Sequence, residues 1–225
     1  MPRVALTAVF VAVAVGLAPG AAVSAPLSAP PNTEQIRFNP ADQAAARAAV
    51  VRGADLGSAG WAGGATKPDL SSTLSCPGYK PKQSDLVLTG AAEADYRRTG
   101  LNLRSVAQVL KTRSMVARDW RRTVIDPRAL VCLRHMLTRG LASNERLVSF
   151  GKVAFPRLAR YTAAYRALIA VASQGQRVFV SVDIVLVGRS RTELTLTVAG
   201  PAAARASSSR AEVRLMRGLL ARVRA

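Results

Sequence analysis

The chain has 225 residues, of which 49% are hydrophobic, 5% aromatic and 20% charged, the balance of a protein with one or two folded domains. One His and two Cys exclude a multi-ligand zinc site or an iron–sulfur cluster built from its own side chains. The formal charge of +19 makes polyanions and anionic lipid headgroups the natural partners, with an attraction that salt screens.

Residues 1–25 read as a secretory signal peptide. Arg3 makes a positive start, Val4 to Leu17 are uncharged and apolar, and Pro19-Gly20 break the run. Val23-Ser24-Ala25 place small residues for cleavage after Ala25. The apolar run falls short of the ~20 residues of a membrane span, and the expected location is secreted or extracytoplasmic, in the cell envelope. In an oxidising compartment Cys76 and Cys132 are expected to pair as a disulfide; the alternative is two separate buried thiols.

Residues 26–68 read as a flexible linker, broken by prolines and glycines. Only Ala41 to Arg52 could form a helix, with little apolar bulk to dock, and Trp61 stands isolated among glycines. Residues 69–225 are then a single α+β domain, long enough for one core.

Within it, Ser84 to Thr89 reads as a strand ended by Gly90, and Ser105 to Leu110 as a second. Arg113 to Val124 has helical spacing at Val116, Trp120 and Val124. Asp126-Pro127 starts another helix, which carries Cys132 and stops at Gly140. Glu145 to Phe155 reads as a strand. Leu158 to Ala172 fits a helical stripe and a strand face equally, so periodicity leaves it open. The clearest signal is an antiparallel hairpin. Its first strand carries Val178, Val180, Val182, Ile184 and Leu186 on the face read as buried; its second carries Leu194, Leu196 and Val198. Ala203 to Arg224 forms an amphipathic helix with Val213, Met216, Leu219, Leu220 and Val223 in one stripe. The fold class is α+β: an antiparallel sheet with helices packed on it, an α/β sandwich, with the terminal helix docked on the sheet.

The hairpin QRVFVSVDIVLVGRSRTELTLTVAGP followed by SSSRAEVRLMRGLLARV resembles exported actinobacterial α/β sandwich domains. These are the broad PsbP/Mog1-like group and the extracellular sensor domain of PknH-type kinases. The resemblance covers residues 145–225 and carries no catalytic motif. It implies that Leu158–Ala172 is a strand and that the last helix packs back on the sheet. The chain departs from the group in showing no lipobox, no kinase domain and a single candidate disulfide.

The chemistry on offer is sparse. Cys132 and His135 share a helix face, but a metal site there lacks further ligands and a disulfide removes the thiol. Glu93 and Asp95 read as solvated charges. Asp183 stands mid-strand among valines, where a carboxylate needs a partner such as an arginine across the sheet. Arginine clusters at Arg118, Arg121 and Arg122, and at Arg214 and Arg217 on the terminal helix, are candidate anion-binding residues. Nucleic acid is disfavoured, because aromatic platforms do not interleave with these clusters. The expectation is a non-enzymatic exported domain, without cofactor or metal, that binds a ligand or an envelope component. The ligand could be a small apolar molecule held in a cavity between sheet and helix. The alternative is a basic module on anionic lipid or cell-wall polymer. A secreted enzyme, using a cleft that gathers Asp183, His135 or Glu193, ranks last.

Overall fold

The hairpin forms the middle of an eight-stranded sheet. The computed structural model describes residues 32–57, 60–70, 74–173 and 175–223. The expected signal peptide and its cleavage site fall outside these residues. The elements in chain order are β1 (Gln35–Ile36), α1 (Pro40–Ala48), β2 (Ala62–Thr66), β3 (Val87–Arg98) and β4 (Leu101–Leu110), then α2 (Arg113–Trp120) and α3 (Pro127–Arg139). There follow β5 (Glu145–Lys152), β6 (Tyr161–Ser173), β7 (Gln176–Arg189), β8 (Thr192–Pro201) and α4 (Arg205–Arg222). The strand order is β1-β3-β4-β8-β7-β6-β5, with β2 also paired to β3. Every pairing is antiparallel except the parallel contact of β1 with β3. The fold is α+β, as the sequence predicts.

The open segment Leu158–Ala172 is resolved by tertiary pairing. Tyr161–Ser173 lies as a strand between β5 and β7, in continuous register with β7 from Tyr161 opposite Gly188 to Ser173 opposite Gln176. The helix expected over Arg113–Val124 ends as α-helix at Trp120, and Arg121–Ile125 form a single π turn. Asp126 then caps α3 by accepting the Arg128 N–H at 3.0 Å.

Both faces of the sheet are covered. On one face, α4 buries Leu215, Met216, Leu219, Leu220 and Val223 against Val185, Val187, Leu194 and Leu196. Each such side chain contributes about 1.5–3 kcal/mol when fully buried. On the other face, Trp120 and Val124 pack with Tyr165, Ile184 and Leu186. The expected inward face of the first hairpin strand is therefore corrected. The more deeply buried residues are Ser181, Asp183, Val185 and Val187, while Val178 is 54% exposed beyond the reach of the helices. Alternation locates two faces but cannot rank them when both are covered.

The linker reading is also corrected. Asn32–Ala225 is one compact unit, so the folded part begins well before residue 69. In α1, Ala46 is fully buried, with Ala49, Val50 and Val51 behind it in the α4-side core. The helix docks because it is small. It faces Ala92 and Ala94 of β3 and Ala107 of β4. A Cβ at Gly90 would lie 2.3 Å from the Asp42 carbonyl oxygen. Gly90 thus does not end the strand; it lets β3 pass directly beneath α1. Gln43 Oε1 accepts the Ala91 N–H at 2.8 Å, and Asn39 caps the helix through the Asp42 N–H at 2.9 Å. Trp61 also packs on this core, with the Arg98 guanidinium 4.9 Å from its ring centre.

Cys76 and Cys132 form a disulfide that ties the segment before β3 to α3, with Cα atoms 5.6 Å apart. Tyr79 packs against Cys132 and Ala129 and donates its hydroxyl to the Arg122 carbonyl.

Two stability measurements check this packing. Gly90→Ala forces α1 off the sheet and should cost about 1–3 kcal/mol in urea unfolding. Reducing the disulfide, or Cys132→Ser, should cost up to about 4 kcal/mol and lower the melting temperature, because the bridge closes a long loop in the unfolded chain.

Candidate functional site

Acids are the scarce charge in this protein, with 13 Asp and Glu against 32 Lys and Arg, and their positions govern its electrostatics. Most are turned inward. Asp42 on α1 receives both ends of the Arg191 guanidinium, at 2.7 and 3.1 Å, tying α1 to the β7–β8 turn. Hydrogen bonds from that arginine, with help from Thr89 and Asn39, hold the Asp42 carboxyl down at about 2. Asp55, just after α1, takes a forked bond from Arg222 at 2.9 and 2.9 Å, tying α4 to the α1 segment and lowering the carboxyl.

Beneath α4, Asp183 accepts Arg166 Nε at 2.5 Å and Nη2 at 2.6 Å from the facing residue of β6. The arginine across the sheet that the sequence calls for is thus present. Ser181 and Ser209 complete the network. Glu212 of α4 enters it too. Burial, then the neighbouring Asp183 charge, push Glu212 up to about 8, so its protonated carboxyl donates to Asp183 at neutral pH. Its Oε1 is buried with no partner.

The opposite face carries a second carboxyl cluster. Burial holds Glu193 of β8 well above the usual range, with Asp119 and Glu34 adding repulsion, and it hydrogen-bonds Asp119 of α2. Asp119 is itself raised by burial, and takes bonds from Gln83 at 3.3 Å and Thr123 at 3.4 Å. Glu34, raised to about 7 by burial and then by Asp119, lies at the edge of the cluster. These carboxyls clamp α2 and the β1 approach to the sheet.

The sequence-predicted residues separate. Asp183 faces α4, Glu193 faces α2, and His135 is exposed on α3 while Cys132 is closed in the disulfide. No cleft gathers them as a hydrolytic site would require. Glu93 is not a solvated charge: it is buried and accepts Arg104 at 2.8 Å. Asp95 beside it takes the Thr66 hydroxyl at 3.2 Å.

The candidate anion-binding arginines divide as well. Arg122 forks onto Asp85 at 2.7 and 3.0 Å and Arg118 reaches the same carboxylate at 3.4 Å, so both are engaged in holding α2. Arg121 is exposed beside them. Arg214 and Arg217 lie exposed with Arg210 on the solvent side of α4, across the sheet from the first group. The space between α4 and the sheet, where an apolar ligand cavity was expected, is filled by Met216, Leu219, Leu194 and Leu196. Two open clefts lie elsewhere. One, of about 390 Å³, adjoins Arg134, Glu145 and Arg146. Another, of about 520 Å³, adjoins Arg113, Arg160 and Arg189. Sequence reading missed these last residues as a group because they lie far from one another along the chain and meet only in the fold.

No family model and no curated protein matches the chain. Among solved structures, an uncharacterized protein of Mycobacterium smegmatis aligns over 82% of this chain and 98% of its own, at 14% identity and a TM-score of 0.42. Among the described residues, no helix is long and apolar enough to cross a membrane, and no group of acidic, Cys and His side chains could hold a metal ion.

The buried acids set the pH response. Glu34 and Glu212 bind protons more tightly folded than unfolded, so their effect falls away as pH rises from about 4.5 to 8. Asp42 acts oppositely: its contribution is complete above about 4 and lost as pH falls towards 2. Thermal melts across pH 4–9 should therefore show highest stability near the acid end of this range. Glu212→Gln should flatten the decline above pH 5.

Proposed function

We propose that this protein is an exported, non-catalytic binding domain that attaches to anionic material of the cell envelope through its arginine surface. The observation that carries the reading is the inward use of the acids. Asp42, Asp55, Asp85, Glu93 and Asp183 each engage arginine, and burial favours the neutral form of Glu34, Glu193 and Glu212. Little negative charge remains to answer exposed arginines such as Arg121, Arg210, Arg214 and Arg217. A surface of one sign raises the local concentration of a polyanion and speeds its encounter. The filled α4–sheet interface favours this reading over an enclosed apolar ligand.

Export rests on the leader and is supported by the disulfide, a bond that persists in oxidising compartments. The hairpin followed by a docked terminal helix supports kinship with the exported actinobacterial sandwich domains, whose extracellular members include sensor modules.

Co-sedimentation with vesicles of phosphatidylglycerol in phosphatidylcholine tests the reading. Binding should be strong in low salt, fall steeply as salt rises, and be absent from pure phosphatidylcholine. Equal binding to neutral vesicles, or none to anionic ones, would refute it.

A further inference from the structure

The cleft of about 520 Å³ at the β7–β8 turn lies within the range of small-ligand sites, roughly 300–1,000 Å³. Its walls are the first turn of α2 (Arg113, Ser114, Ala117), the start of β6 (Arg160, Tyr161) and the turn itself (Gly188, Arg189, Ser190). No carboxylate is among them. The cleft beside Arg134 and Arg146 differs, because Glu145 shares its wall.

Neutral groups hold the cations of the larger cleft. Arg189 donates to the Leu220 carbonyl at 3.2 Å, and Arg160 lies 5.4 Å from the Tyr161 ring centre. Arg113 is exposed on α2, with no ion pair among the described residues. Such partners fix position without cancelling charge. Other features point the same way. The Ser114 hydroxyl is at the mouth, 2.9 Å from the Thr112 cap. Arg113 and Ser114 begin a helix, where backbone N–H groups have no acceptor within it.

We infer that this cleft binds a phosphate monoester group, with Arg113, Arg160 and Arg189 contacting its oxygens and the Ser114 and Ser190 hydroxyls adding hydrogen bonds. A tetrahedral dianion offers several oxygens at once, which suits planar forked guanidinium groups better than a single carboxylate does. The inference deepens the proposed attachment to anionic material and rests on that reading. It makes one point of the surface a defined site while the α4 arginines act by charge alone.

The test uses the full secreted chain and two probes, inorganic phosphate followed by amide NMR, and vesicles of phosphatidic acid compared with phosphatidylglycerol at equal charge. Phosphate should give saturable shifts at Ser114, Gly188 and Ser190. Arg160→Gln/Arg189→Gln should weaken binding by about tenfold or more, because each lost charge-assisted bond is worth more than a neutral one. Arg113→Gln, an exposed change that leaves the fold intact, should weaken it in the same direction, and Arg214→Gln/Arg217→Gln should lower vesicle binding while the saturable phosphate shifts at Ser114, Gly188 and Ser190 persist. Preference for phosphatidic acid that disappears in the cleft variants identifies a lipid headgroup as the source. Saturable phosphate binding without that preference identifies a free phosphate ester. Shifts spread over the basic surface, or equal losses from the cleft and α4 variants, overturn the site while leaving general attachment standing. No response to phosphate and no binding to either vesicle overturns both.

Discussion

The structure depends on covering a sheet that is apolar on both faces with a chain that has few acids. Hydrophobic burial supplies the attraction but has no direction. Carboxyl groups supply the direction. Asp42 and Asp55 join α1 and α4 to the sheet turn and to each other's segments, Glu212 pins α4 to the Arg166–Asp183 pair, and Asp119 with Glu193 holds α2. A partly satisfied buried network is costly, so each tie defines one seat for its helix.

This internal use of the acids has an external result. An acid spent inside cannot neutralise an arginine outside. Protonation of Glu212, whose carboxyl is pushed up to about 8, removes more negative charge at neutral pH. Each ion pair uses one acid and one arginine, so the excess of basic residues is left to the accessible surface. Architecture and surface charge are linked here through charge balance.

The N-terminal segment shows the other half of the design. Alanine offers little transfer free energy, yet α1 is buried because Gly90, Ala92, Ala94 and Ala107 let two backbones approach closely. Close packing recovers in dispersion contacts what small side chains lack in area. That complementarity joins residues about fifty positions apart, and neither segment advertises it alone. The same holds for Arg113, Arg160 and Arg189, which share a cleft only because β6 runs beside β7 and α2 folds over its end.

Local chemistry, written in the sequence, determined the α+β class, the hairpin about Gly188–Arg191, the Asp126-Pro127 helix start and the amphipathic terminal helix. Turn residues, caps and periodicity act within a few positions, so they can be read without a partner. The need of Asp183 for a cation was readable too, because a mid-strand carboxylate is costly alone. Tertiary structure alone decided that Tyr161–Ser173 is a strand, that α1 belongs to the core, and that Ser181, Asp183, Val185 and Val187 are the more deeply buried hairpin face. Each of these depends on what lies across the sheet, and a neighbour distant in sequence leaves no local periodic trace.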